Sequence, residues 1–326
     1  MNTIISPVSA DKGTAAIRSK GPVKKKNETL RQVVRNYQLY LLLALPLLYF
    51  LLFRYVPMAG SIIAFRRYVP GGSIFGEKWV GLRYFKMFIS DPGFWNVFKN
   101  TIVLSALNLV IGFPFPIIFA LLLNEVNHLF SKRLVQTISY LPRFFSTVVV
   151  VEIIQVLLNP TNGIANRLIE HFGHAAIYFT NTSAYFRPIY ILSDLWQFMG
   201  WNSILYIAAL TNVDPQLYEA AEIDGAGRWK QTLYVTIPGI MPTIIITFIL
   251  AVGHIMSLGF EKILLLYSPS IYDVADVIQT MTYRLGIVGN SYSYASAIGL
   301  FQALINLTLI WGVNAFAKKV GETSLW

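Results

Sequence analysis

The sequence contains no cysteine. That excludes disulfides, thiolate metal sites and a cysteine nucleophile, and leaves the redox compartment unread. Only four histidines are present. His171 and His174 stand one turn apart, but two histidines without further ligands do not make a metal centre. No H-E-x-x-H run and no G-x-x-x-x-G-K-[ST] phosphate loop occurs, so the backbone cradle and lysine that hold ATP are missing. The chain is expected to hold no metal and no cofactor, and to catalyse nothing by itself. Charge is scarce as well, at 13% against 55% hydrophobic residues, too little to cover the surface of a soluble protein of 326 residues.

What is present is apolar sequence in long runs. Residues 39–53 carry no charge, and 102–123 is long enough to cross ~30 Å of hydrocarbon at ~1.5 Å per residue. Six segments separate: 38–53, 102–123, 134–158, 188–210, 243–266 and 294–316. The expected fold is therefore all-α and integral to the membrane, with six transmembrane helices in one domain over 38–320. Ahead of it lies a basic leader, residues 1–37, and after it a short tail, 321–326. The net charge of +10 gathers in that leader at Lys12, Arg18, Lys20, Lys24, Lys25, Lys26, Arg31 and Arg35. Such placement fits a cytoplasmic flank beside anionic lipid and gives no reason to invoke nucleic acid. The leader is too long for a signal peptide, and no small-x-small cleavage site follows Phe53. Within it, Leu30, Val33, Val34 and Tyr37 share helical spacing, which predicts a short helix on the inner membrane face, preceded by disorder over 1–26.

An even number of spans puts both termini on one side. A cytoplasmic leader also places Lys132, Arg133, the 211–242 loop and Lys318-Lys319 inside, as positive-inside bias expects. One loop opposes this assignment, because Arg54, Arg66, Arg67, Lys78, Arg83, Lys86 and Lys99 then fall outside. The rule weakens in longer loops, so the N-in, C-in orientation is retained. The same loop holds Trp79, Tyr84, Phe85, Phe88, Phe94 and Trp95, residues suited to an interfacial belt, and Asp91-Pro92 is a helix start.

The most informative loop reads Asp214-Pro215-Gln216-Leu217-Tyr218-Glu219-Ala220-Ala221-Glu222-Ile223-Asp224-Gly225-Ala226-Gly227-Arg228-Trp229 and runs through Ile237-Pro238 to Pro242. Asp214 is a good N-cap, Pro215 suits the first helical position, and Gly225 can take the positive φ that ends a helix. A short helix with small residues at Ala220 and Ala221 should follow, open to close approach by another protein.

At these residues the chain resembles the permease subunits of binding-protein-dependent ABC importers, whose EAA loop has this spacing. Val235, Ile237 and Thr232 are mild departures from that pattern. The resemblance runs from about Tyr40 to Trp326 and is nearest to the subgroup importing polysaccharides and complex oligosaccharides. It is carried by Phe53-Arg54-Tyr55-Val56-Pro57, Trp79-Val80-Gly81-Leu82, Gly112-Phe113-Pro114, Gln136-Thr137-Ile138-Ser139-Tyr140-Leu141-Pro142 and Gly259-Phe260-Glu261. It implies the type I importer permease fold with a cytoplasmic coupling helix, and contact with the ATPase through Glu219, Ala220, Ala221, Asp224, Gly225, Arg228 and Pro238. It further implies a second permease subunit, two ATPase subunits that bind ATP and Mg, an external solute-binding protein, and residence in the bacterial cytoplasmic membrane. The substrate would be a poly- or oligosaccharide; some members of the subgroup serve acidic glycans such as alginate. Two other classes are weighed beside this one: an ion-driven secondary transporter using Glu152 or Glu261, and a non-transporting scaffold for a glycan enzyme.

Polar groups inside spans are costly, so they tend to face a cavity or a partner. Asp194, Gln197 and Trp201 fall at i, i+3 and i+7 on the fourth segment; His254, Ser257 and Glu261 repeat that spacing on the fifth; Gln302 and Asn306 are one turn apart on the sixth. Amides and aromatic rings suit a sugar, and the same residues suit interhelical packing, so both readings stand. Arg143 follows Pro142 and marks either an interrupted helix with its cation in the path or a residue snorkelling to the interface. Nine residues separate it from Glu152, which sets the two on opposite faces of one helix.

Overall fold

The structure, a computed structural model, describes residues 35–73 and 75–320. The expectations for residues 1–34 and for the tail 321–326 lie outside the described residues. The chain divides into two compact units at Ala59 and Gly60.

In the first unit the backbone is helical from Tyr37 to Ala59, six residues beyond the expected end at 53. Its side chains from Tyr37 to Ala59 are all exposed, Leu41, Leu42, Leu45 and Phe53 among them. In water that surface would be untenable; in lipid it is the expected finish for a helix apolar all round.

The second unit holds the remaining helices. Among the described residues four helices are long and apolar enough to cross a membrane: Tyr37–Phe65, Pro92–Asn124, Arg228–Gly253 and Tyr292–Lys319. Two of the six expected segments differ. The third is not one straight helix, because Leu129–Phe144 and Thr147–Leu157 meet at 101°. Pro142 and the extended Phe145 break it, and Ser146 restarts the helix by accepting a hydrogen bond from the Val149 N–H. The fifth begins earlier and ends earlier than expected: Arg228–Gly253 is continuous, residues 254–259 are non-helical, and Phe260–Leu266 is a separate short helix. The helical spacing of His254, Ser257 and Glu261 is therefore not realised. The fourth segment is a single helix, Ser183–Leu210, but Arg187, Asp194 and its amides make it less apolar than the other spans. Its position accounts for that composition. It packs against Pro114–Asn124, Leu129–Tyr140, Ile237–Gly253 and Tyr272–Ala275, so many of its residues face protein. Gly200 lets it touch Leu129–Tyr140, since a Cβ there would collide with the Ser139 carbonyl.

Prolines shape the long helices in a repeated way. Wide π-turns at Leu51–Tyr55, Asn108–Gly112 and Thr232–Thr236 each end two residues before a proline: Pro57, Pro114 and Pro238. A proline donates no hydrogen bond and its ring collides with the carbonyl four residues back. In each case that carbonyl (Phe53, Val110, Tyr234) lies inside the wide turn, which frees it without ending the helix.

Three apolar clusters lie along the second unit. Phe88, Phe94, Met256, Ile278 and Ile298 form one; Leu104, Val151, Tyr190, Ile263 and Ile271 the next; Ala120, Tyr206, Leu210 and Ile240 the third. Segment 260–288 is pinned between helices by polar contacts. The Asn100 amide donates to the Asp273 and Asp276 carbonyls, and buried Asp276 accepts from Thr280 and from both terminal nitrogens of Arg284, the nearer at 2.6 Å. That carboxylate raises the Arg284 pKa further above its ordinary value.

Candidate functional site

The breaks in the third and fifth segments converge on the middle of Ser183–Leu210. Asp194 accepts a hydrogen bond from Lys262 at 3.1 Å, and Lys262 is only 4% exposed. The ammonium also lies 5.4 Å from the Phe198 ring centre and 5.8 Å from that of Tyr190. Arg143 also lies 5.2 Å from the Phe198 ring centre and 5.9 Å from that of Trp201. Phe198 is thus within cation–π reach of two cations, one buried and one exposed. The Tyr190 hydroxyl accepts from the Gly259 N–H, which fixes the loop that carries Lys262.

Beside this cluster is a cavity of about 380 Å³. It brings together Asp194, His254 and Ser257, three of the expected path residues, and adds Asn108, Phe198 and Asn202. The other expected residues lie elsewhere. Gln197 is buried, and its amide donates to the Phe145 carbonyl at 3.3 Å across the break, with its Oε1 unpartnered. Trp201 meets Phe144 edge-on. Asn306 accepts from the Met256 N–H and Gln302 donates to the Met256 carbonyl, so both secure the unwound 254–259 stretch. Arg143 follows an interrupted helix, as one of its two readings required, and its guanidinium joins the aromatic cluster. Lys262 was not singled out by its sequence; a lone lysine within an apolar stretch was the available signal.

The 211–242 loop is built as its residues dictate. Asp214 accepts from the Gln216 N–H at 2.9 Å and Pro215 opens a helix, Pro215–Ile223. Gly225 takes φ +74°, the Ala226 N–H returns to the Ala221 carbonyl and the Gly225 N–H to the Glu222 carbonyl. This is a Schellman end. Glu219, Ala220, Asp224, Gly225 and Arg228 are exposed, Ala221 partly so. Arg228 pairs at 3.7 Å with Glu125, a contact too exposed to hold the loop alone. Pro238 stands inside Arg228–Gly253, past the π-turn. The loop also presents Ile223, 86% exposed, and Trp229, 79% exposed, two apolar anchors that the sequence reading passed over.

Residues 112–322 match the binding-protein-dependent transport system inner membrane component family. The chain belongs to that family. It is 44% identical over 303 residues to the polygalacturonan/rhamnogalacturonan transport system permease protein of Bacillus subtilis, covering 93% of this chain and 94% of that protein. It is 29% identical over 289 residues to the arabinooligosaccharides transport system permease protein of Halalkalibacterium halodurans, covering 86% and 88%. In three dimensions it resembles a chain from the crystal structure of a bacterial ABC transporter involved in import of the acidic polysaccharide alginate. The two are 38% identical, with TM-score 0.83 over 90% of this chain and 99% of that one. As a member of the family the chain has the type I permease fold and is a membrane transport component.

Proposed function

We propose that this permease subunit forms half of the passage through which an ATP-driven importer carries an acidic poly- or oligosaccharide across the bacterial cytoplasmic membrane. The observation that carries the substrate class is the near full-length similarity to permeases named for polygalacturonan/rhamnogalacturonan and for alginate transport. The exposed Arg143 beside Phe198 and Trp201 is consistent with it, since a cation and aromatic faces suit a uronate ring. A second permease completes the passage, and two ATPase subunits bind ATP and Mg. Each ATPase receives a coupling helix, here Pro215–Ile223 with Glu219, Gly225, Arg228 and the apolar Ile223 and Trp229. A solute-binding protein delivers the glycan outside. ATP-driven closure of the ATPases moves the coupling helices and opens the passage outward, and hydrolysis returns it inward. In this reading Ser183–Leu210 and the bent third segment complete six spans, with both termini inside.

Vesicles reconstituted with the complete transporter and its binding protein should accumulate a labelled galacturonate oligomer with ATP, and should not accumulate a neutral glucose oligomer of equal length. Uptake of the neutral sugar alone would overturn the acidic reading. Orientation is checked separately: in this cysteine-free chain, single cysteines at Ser73 and Thr211 should react with impermeant thiol reagents from outside and inside respectively. The reverse pattern would remove the 215–223 helix from the ATPase side.

A further inference from the structure

The basic segment that opposed the orientation assignment finds a use in the structure. Arg67 and the residues that follow its strand, the helix Arg83–Ile89 and the turn before Tyr292 line an open cavity of about 660 Å³. This cavity lies where the Tyr292–Val320 helix begins, at the opposite end of that helix from Lys318 and Lys319. Its wall carries four half-buried tyrosines, Tyr68, Tyr84, Tyr292 and Tyr294, together with Arg67 and Asn290.

The wall is built in several independent ways. The Tyr68 N–H donates to the Ser293 hydroxyl at 2.9 Å, and that hydroxyl donates to the Arg66 carbonyl at 2.8 Å, which ties the strand to the head of the last helix. Tyr68 and Tyr292 meet edge-to-face at 5.6 Å, and the Tyr292 hydroxyl donates to Asn290. Asn290 is the one described non-glycine residue with positive φ, at 54°, in the turn that forms the rim. Arg67 is exposed and makes no ion pair among the described residues. The carboxylate in the wall, Asp91, caps the next helix by accepting from the Gly93 N–H at 2.8 Å, and its negative charge is one that Arg67 must outweigh for an anion to bind. Across the Arg83–Ile89 helix a second concavity displays Arg83 and Lys86, so the surrounding field is positive.

We propose that this tyrosine-lined cavity is an entry subsite for a uronic acid unit of the substrate, with Arg67 pairing to the carboxylate and the tyrosines offering ring faces to the C–H side of the sugar and hydroxyls to its hydroxyls. The proposal rests on the acidic-glycan reading above. It gives the excess of cations on the outer side a function: they gather an anionic chain ahead of the membrane passage. An acidic patch on the binding protein is the competing occupant, and a concave, tyrosine-lined wall favours a sugar over a flat protein contact.

Ser291 lines the same cavity and is exposed, so Ser291→Cys gives a local reporter. In the assembled transporter without binding protein, a galacturonate oligomer should slow its labelling by an impermeant maleimide at least several-fold. A neutral glucose oligomer should not, and added salt should weaken the protection. Arg67→Gln in that background should abolish protection while leaving the unprotected labelling rate and basal ATPase activity unchanged, which separates loss of binding from loss of fold. Equal protection by the neutral oligomer, protection unaffected by Arg67→Gln, or protection only by binding protein without sugar would each overturn the subsite. If wild-type vesicles take up the galacturonate oligomer while Ser291→Cys is never protected, the subsite fails and the transport reading stands. If no uptake occurs, that reading fails first.

Discussion

Gly225→Asp should abolish co-purification of the ATPase and ATP-dependent uptake, while the subunit still inserts and pairs with its companion. At φ +74° an L-residue costs about 1–2 kcal/mol. Among the described residues, no atom other than those of its chain neighbours lies within 4 Å of where the new Cβ would stand, so the loop itself accommodates the change. The helix before it keeps its Asp214 cap and its Pro215 start. The damage falls on the surface offered to a partner, where a second carboxylate appears beside Asp224 between the exposed Ile223 and Trp229. Charge reversal at Glu219 should act in the same direction more weakly, as exposed ion pairs are worth ~1 kcal/mol or less. Affinity capture of the complex and vesicle uptake, for wild type and both variants, decide the matter; normal association and normal uptake in Gly225→Asp would mean this loop is not the coupling element.

Asp194→Ala should be the most destabilising single change within the membrane region. It strands the Lys262 ammonium, 4% exposed, among Tyr190, Phe198 and apolar residues. Removing one member of a buried pair costs roughly 3–5 kcal/mol, whereas replacing both with apolar residues of similar volume is often neutral. The double variant Asp194→Leu/Lys262→Met should therefore recover most of the thermal stability of purified transporter that Asp194→Ala loses. A double variant as unstable as the single one would show that the pair does not hold the 259–262 turn against Ser183–Leu210. Because Asp194 also borders the central cavity, transport by a stable double variant reports separately on whether the pair serves passage.

The parts of this molecule that were legible in its sequence are those set by near neighbours. Asp214, Pro215 and Gly225 each act within a few residues, so the 215–223 helix and its end could be read directly. Asp91 likewise caps the helix it precedes. Pro142 announced a break, and the 101° bend is there. The break at 254–259 was hidden because hydropathy stays high through it; Gly253 and Gly259 bracket the stretch, but what holds it open is Asn306, Gln302 and Tyr190, distant in sequence. Lys262 was overlooked for the same reason, since its partner lies 68 positions away. The polar face of Asp194, Gln197 and Trp201 was correctly periodic, yet periodicity does not say what stands opposite. Asp194 meets a lysine and a cavity, Gln197 a carbonyl, and Trp201 a phenyl ring and a guanidinium. The tyrosine-lined cavity draws on segments near 67, 84 and 292, and no local pattern joins them.

In the proposed transport cycle the Arg228–Gly253 helix is the lever arm. One end sits beside the Gly225 turn, and the other stops at the edge of the unwound stretch with His254 and Ser257 on the cavity wall. Its 26 residues span about 39 Å, so a tilt of only ~5° at the loop end sweeps the far end through roughly 3 Å. Thr232–Thr236 is the softest point in that arm, because its wide turn has already given up the regular hydrogen-bond ladder. Stroke lost there as flexure would never reach the cavity. Of the contacts that brace it, the Tyr218 hydroxyl on Thr236 at 3.0 Å ties the short loop helix to the last residue of the soft turn itself, so that a push on the former enters the rod where it would otherwise bend.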